Sequence, residues 1–263
     1  MLKGLYTAYT GMINEQNRMD VLTNNLANAD TIGFKKEGAT SQSFDAVLVD
    51  KIRDDSEYYR LARRIGNANP GVKVGEGYTD YSQGSFQVTD NTYDLALGGK
   101  GFFTVEFANK SGESSVLYTR DGNFSVTTDG YLVTTDGDFV LGEGNNGETQ
   151  HIKVDPNIEV VVKNDGSIYQ NDQLVGKLKL TDFADYNYLE HYGENYYMAV
   201  EGAEPIEPAD CAVYQGYLET SNVSIVSEMV EMISVQRQYE SNQKIIQTYD
   251  SSLQIAANDI GKI

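Results

Sequence analysis

The sequence predicts an α+β protein in which long N- and C-terminal α-helices form a coiled-coil-like pair and the residues between them build a central all-β domain. Three observations carry that expectation. Both ends repeat apolar residues at three- and four-residue spacing, the middle alternates polar and apolar residues between Asp-Gly steps, and the negative charge is concentrated in the middle. The formal net charge is −19, and residues 73–218 hold 24 acidic against 8 basic side chains. Residues 1–36 hold three acidic against four basic, and residues 219–263 six against three. Two near-neutral ends therefore flank an acidic body.

Residues 1–36 read as a helix and its stop. With Leu2 at heptad position a, the d positions are Leu5, Met12, Met19 and Leu26, and the a positions Leu2, Tyr9, Gln16 and Thr23 turn polar halfway. Tyr6 and Ile13 add a flanking stripe. The helix should end in "NNLANADTIGFKK", residues 24–36. Asn24, Asn25, Asn28 and Thr31 offer side chains that compete for backbone hydrogen bonds and favour helix ends. Gly33 permits a left-handed turn after the helix, and Phe34 is expected to anchor that turn in a neighbouring groove.

Residues 37–72 read as a linker with a partly helical extension, because Phe44, Val47, Leu48 and Ile52 allow a short helix before the turn-like "GNANPGV". Residues 73–218 change to strand period. "DGNFSVTTDGYLVTTDGDFVLG" alternates around Asp-Gly steps at 121, 129 and 136, and another follows at 165. Asp-Gly supplies the positive φ of tight hairpin turns, so a β-rich outer domain, a sandwich or irregular barrel, is expected to form its own local core.

Residues 219–263 return to helix. Ser221 or Asn222 offers an N-cap and Glu228 an early acidic group. Heptads begun at Asn222 place Ile225, Met232, Tyr239, Ile246, Leu253 and Ile260 at d, with a mostly polar a seam. A monomer has little with which to cover two such seams. The expected assembly interface is therefore Leu5, Met12, Met19, Leu26, Ile225, Met232, Tyr239, Ile246, Leu253 and Ile260, and the helical arms are expected to order on assembly.

Composition narrows the chemistry. An acidic chain lacks the clustered Lys and Arg that nucleic acid or an anionic membrane requires. Cys211 is the only cysteine, so no intrachain disulfide forms. His151 and His191 fit no metal-ligand or Ser/His/Asp spacing, and in "LGGKGFF" Lys100 is followed by glycine rather than the Ser or Thr of a phosphate loop. No catalytic, cofactor-binding or metal-binding residue is expected. "MLKGLYTAYTG" lacks the apolar run of a cleaved secretory signal, and no stretch is long and apolar enough to span a bilayer. A glycan-cleaving β domain with helical arms and a surface adhesin are the competing classes; the first needs a pocket of convergent polar groups, the second an anchor.

The motifs "AYTGM", "NNLANADTIGFKK", "LGGKGFF", "TRDGNFSVTTDGYLVT" and "GYLETSNVSIVSEMVEMISVQRQYESNQKIIQTYD" resemble, in order and over nearly the full length, the flagellar basal-body rod protein family of axial rod and hook proteins. The resemblance implies a non-enzymatic structural subunit that polymerises through its terminal helices into the drive shaft and export channel. It implies a distal rod position, with proximal rod or hook as the alternative. Its implied partners are copies of itself, other rod and hook proteins and the flagellar export apparatus, with no nucleic acid, no membrane insertion and no cleaved signal peptide. The chain departs from the family pattern at "DYNYLEHYGENYYMAV", residues 185–200, which is tyrosine-rich where relatives carry a proline-glycine turn.

Overall fold

Helix α1, Leu2–Ala27, contains no proline and no acidic residue in its first turn, and α2, Ile225–Ile255, begins after Ser224 in an extended conformation with Glu228 in its first turn. A carboxylate there faces the positive end of the helix dipole. A π-helical turn, Ala256–Ile260, continues α2. The computed structural model describes residues 2–51, 63–108, 114–144, 149–193 and 195–260. Two compact units result. One comprises residues 1–27, 37–80 and 224–263, and the other residues 28–36 with 81–223.

In the first unit α1 and α2 run antiparallel. Gly4 faces Tyr249, Gly11 faces Asn242, Arg18 bonds Glu231 at 3.1 Å and Asn25 bonds Glu228 at 3.3 Å. The expected coiled-coil-like pair is nevertheless not formed, and the fold class needs correction: 40% of the chain is strand, and α1 and α2 do not meet through an apolar heptad seam. The buried line of α1 contains Ala8, Glu15, Leu22 and Asn25, while the heptad a residues Tyr9, Gln16 and Thr23 are exposed. Glycines at 4 and 11 admit the large side chains of α2, and amide and ion-pair contacts do the rest. Knobs-into-holes packing would need apolar side chains on both seams.

The other side of α1 rests on a strand pair, Glu37–Ser43 antiparallel to Val72–Thr79, whose register shifts between Ala39 and Ser41. Buried Asn14 donates to Ser41 Oγ at 2.9 Å, and Thr7 Oγ1 donates to the Pro70 carbonyl at 3.1 Å. Where it is described, the stretch expected to be partly helical holds a strand instead. Val47–Lys51 pairs with Arg63–Ala68, in keeping with the β-branched Val47 and Val49; Ile52 lies outside the described residues.

The strand pairs of the second unit are antiparallel, with one 3-10 turn at Tyr186–Tyr188. Its main sheet runs from Val160–Val162 through Ser167–Gln170, Gln173–Leu178, Phe139–Glu143, Phe102–Ala108, Ser114–Thr119 and Tyr196–Ala199 to Leu189–Tyr192. Separate pairs join Leu95–Gly99 to Cys211–Gln215 and Phe86–Val88 to Tyr217–Glu219. Leu95, Leu97, Phe103, Val105, Leu117, Phe124, Val140 and Val213 form the buried centre. Gly130, Gly137 and Gly166 take positive φ after their aspartates, but Gly122 does not. A Cβ at Gly122 would fall 1.6 Å from the Leu95 carbonyl oxygen, so close backbone approach, not φ, requires glycine there.

The tyrosine-rich segment belongs to this core. Tyr197 is buried with Phe102 and Phe183, Tyr81 and Tyr186 pack against them, and Tyr196 donates to Thr134 Oγ1 and Asp136 Oδ2. Tyrosine suits a sheet margin where one end of the ring is dry and the hydroxyl reaches a partner.

Candidate assembly interface

The antiparallel contact of α1 and α2 decides which apolar residues remain outside. Leu5, Met12, Met19 and Leu26 are half-buried at the margin of the contact, as are Met232, Tyr239 and Ile246. Ile225 and Leu253 are exposed, and the side chain of Ile260 lies outside the described residues. The ten residues expected at the interface are therefore divided between contact within the chain and solvent.

Two stripes are more open. On α1, Tyr6 (62% exposed), Tyr9 and Ile13 follow one another at helical spacing. On α2, Val226 (73% exposed), Met229, Val230 and Ile233 have the i, i+3, i+4, i+7 spacing of one helix face, turned away from buried Glu228 and Val235. The heptad reading of α2 followed the d seam and missed this face; the run "VSEMVEM" carried the signal. Because α1 and α2 are antiparallel, the two stripes lie toward opposite ends of the helix pair. Their large apolar side chains gain free energy only when something else covers them.

The helix-stop segment works differently. Asn25 is fully buried and closes two hydrogen bonds with the backbone of Glu37: its Nδ2 donates to the carbonyl at 2.8 Å and its Oδ1 accepts from the amide at 2.9 Å. A side-chain amide thus continues the role of the helix backbone where α1 stops. Asn24 Nδ2 donates to Glu37 Oε2 at 3.5 Å, and Thr31 bonds Asn28 through both its amide and its hydroxyl.

Gly33 has φ +71°, and its amide donates to the Glu219 carbonyl at 2.8 Å. A Cβ on Gly33 would lie 2.5 Å from the Asp121 amide nitrogen. Phe34 is buried within the second unit of its own chain, not offered to a neighbouring groove. Burying a Phe side chain is worth about 1.5–3 kcal/mol.

Next to it lies a cluster that sequence reasoning did not find. Lys35 Nζ donates to Glu219 Oε1 at 2.6 Å and to the Ser82 carbonyl at 2.8 Å. Arg120 Nη1 donates to Glu219 Oε2 at 3.2 Å, its Nη2 donates to the Gly99 carbonyl at 2.7 Å, and its guanidinium lies over the Phe102 ring. The Gly84 amide adds a 2.8 Å bond to Glu219 Oε1. All three charged side chains are at most 4% exposed. Asn222 Oδ1 accepts from the Lys36 amide at 2.7 Å, and its Nδ2 donates to Ser82. Lys35, Arg120 and Glu219 come from three separate motifs, "GFKK", "TRDGNF" and "GYLETSN". Only their shared place in motifs hinted that they meet.

Beside this cluster, burial raises the Asp121 carboxyl to about 6 against the hydrogen bond it accepts from the Asn123 amide. Among the described residues no group of three or more His, Cys, Asp or Glu is placed to hold a metal ion, and no described helix is long and apolar enough to cross a membrane. His151 pairs with Glu106, whose carboxyl is thereby held below its usual range, and stacks on Phe139.

Residues 5–35 match the family described as "Flagella basal body rod protein", residues 96–170 the "Flagellar hook protein FlgE/F/G D1 domain", and residues 214–259 the "Flagellar basal body rod FlgEFG protein C-terminal". The chain is 35% identical to the flagellar basal-body rod protein FlgG of Buchnera aphidicola subsp. Acyrthosiphon pisum, over 97% of this chain and 98% of that one. It is 33% identical to the flagellar hook-basal body complex protein FlhO of Bacillus subtilis, over 100% of both chains. It is also 33% identical to the flagellar basal-body rod protein FlgF of Caulobacter vibrioides, again over 100% of both. With three family matches in chain order and relatives aligned from end to end, the chain belongs to the flagellar basal-body rod protein family.

Proposed function

We propose that this protein is a structural subunit of the bacterial flagellar basal-body rod, associating with other basal-body rod and hook components and with copies of itself. The observation that carries self-association is the pair of uncovered apolar stripes toward opposite ends of α1 and α2. Two different surfaces that cover each other between successive copies make a heterologous contact, and a heterologous contact that does not close into a ring propagates as a filament. Covering Tyr6, Tyr9 and Ile13 of one copy with Val226, Met229, Val230 and Ile233 of the next would remove both stripes from water at once.

The finer placement is distal rod, on the resemblance of the motifs in order over nearly the full length, with proximal rod or hook as the alternative. Delivery by the flagellar export apparatus is the route that goes with that placement.

The test is Val230→Asp in a strain lacking the wild-type subunit. A carboxylate on the exposed stripe should leave the monomer's thermal transition unchanged and abolish polymer formation and motility. Wild-type motility in that strain would overturn assembly through this face. Labelled subunits viewed by electron microscopy in isolated basal bodies would place the protein along the axis.

A further inference from the structure

We propose that residues 28–36 act as a strap that closes the β body, so that the second unit completes its fold only when this N-terminal segment and residues 219–223 are docked together. Three kinds of contact carry it. Gly33 lies against the Arg120–Asp121 peptide with no room for a side chain and donates its amide to the Glu219 carbonyl. Asn195 Nδ2 donates to the Ile32 carbonyl at 3.0 Å, tying the strap to the tyrosine-rich hairpin. Lys35 reaches past Phe34 to Glu219 and Ser82, and Asn222 bonds both the Lys36 amide and Ser82.

The chemistry makes these contacts interdependent. Glu219 sits with its carboxylate fully out of water, held by Lys35, Arg120 and the Gly84 amide. If the strap leaves, Glu219 loses one of two cations, the Ser82 carbonyl loses the lysine donor, and the space filled by the Lys35 side chain opens beside the Arg120–Glu219 pair. Water entering that space weakens the remaining Arg120–Glu219 attraction, which depends on low local dielectric. Arg120 also holds the Gly99 carbonyl, at the end of the strand Leu95–Gly99 that pairs with Cys211–Gln215. Opening the strap therefore propagates into the core pair through Arg120, and the strap and the strands around Glu219 should open as one cooperative unit.

The strap follows α1 directly, and residues 219–223 lead directly into α2. A body that had folded around residues 81–218 alone would hold Arg120 buried without the carboxylate of Glu219. Leaving a buried charge without its partner is strongly destabilising, so the body should remain open until both ends of the chain are present.

Native-state hydrogen exchange on the full chain, as dilute monomer, tests the strap. In the wild type the amides of Gly33, Lys36, Gly84 and Thr220 should exchange at rates within about 10-fold of those of Ala96, Leu97 and Val213, with the same denaturant dependence. In Lys35→Met, which keeps the length of the side chain, all of these amides should speed up together by about 10- to 100-fold. Exchange at Gly33 and Lys36 that is already about 1,000-fold faster than at Leu97 in the wild type would mean that the strap opens alone. Acceleration confined to residues 33–36 in Lys35→Met would mean the same, and either result overturns the proposal. Should Lys35→Met fail to fold, Lys35→Arg, which retains the charge, must restore folding, and its failure to do so would equally count against the ion pair as the closing contact.

Discussion

Lys35 Nζ and Glu219 Oε1 lie 2.6 Å apart with both side chains at most 1% exposed, although 183 residues separate them along the chain. The contact joins the segment after α1 to the strand before α2, inside the β unit. The β body is built from two stretches of chain, residues 28–36 and 81–223, and Lys35 in the first and Glu219 near the end of the second both place charged groups in its interior. Glu219 is the common acceptor, so the cluster should respond unequally to loss of its members.

Replacing Glu219 by Gln leaves Lys35 and Arg120 facing a neutral amide. The expected loss is about 3–5 kcal/mol, the usual penalty for breaking a buried ion pair from one side. Lys35→Met should lose less, because Arg120 and Glu219 still neutralise each other. Urea unfolding followed by near-ultraviolet circular dichroism measures both; equal losses would mean that the Arg120–Glu219 pair adds nothing once Lys35 is gone.

At Gly33 the backbone conformation and the lack of space act together. Gly33→Val should destabilise the second unit by about 1–3 kcal/mol from conformation alone, with overlap against the Arg120–Asp121 peptide added. Gly33→Asn tolerates φ +71° better than Val does. It still carries a Cβ into the same peptide, so its midpoint should fall between those of Val and the wild type. A Gly33→Asn protein as stable as wild type would show that the Asp121 backbone moves aside freely.

The Asp121 carboxyl titrates near 6 in the folded protein, above the range of about 3.9 for an unfolded aspartate. The folded state therefore disfavours the ionised form. The penalty is present in full above pH 6 and is relieved as the pH falls from about 6 to about 4. Asp121→Asn removes it, while its amide oxygen can still accept from Asn123. The substitution should stabilise the protein by about 1–2 kcal/mol at pH 7.5, and the gain should shrink toward zero near pH 4.5. A gain that grows on acidification would reverse the assignment.

Ile246 and Val230 should separate contact within the chain from contact between chains. Ile246 is half-buried and Val230 is 63% exposed. Ile246→Asp should speed hydrogen exchange across α1 and the second half of α2 in the monomer, because it places a charge at the helix contact. Val230→Asp should leave monomer exchange as it is and reduce only the polymer, read by sedimentation. If both variants leave the monomer untouched, the antiparallel contact of α1 and α2 contributes little to monomer stability.

The local code was legible from residues alone. Apolar spacing announced α1 and α2, "NNLANADTIGFKK" announced where α1 stops, and alternation around Asp-Gly steps announced the hairpins, because each of these signals acts over a few neighbours in the chain. The motifs also carried the family. Where a stretch lacked a dominant period, as from Phe44 to Ile52, the reading chose helix over the strand Val47–Lys51, whose partner arrives only at Arg63–Ala68.

Pattern could not say which face of a helix is covered. A heptad places Leu5 and Ile225 on an apolar seam, but the contact between α1 and α2 was set by Gly4 and Gly11, which let Tyr249 and Asn242 approach. That left Tyr6, Tyr9 and Ile13, with Val226, Met229, Val230 and Ile233, as the open surface. Nor does charge in a sequence disclose its depth. Nothing local marks Lys35, Arg120 and Glu219 as buried, and only the fold brings them together out of water, because pairing across 99 and 184 positions is decided by strand order and chain crossing and not by any neighbour in the sequence. The sequence by itself determined the two terminal helices, the Asp-Gly hairpins and the family; the tertiary structure decided which faces meet, since burial and ion pairing depend on distances in space that no local spacing encodes.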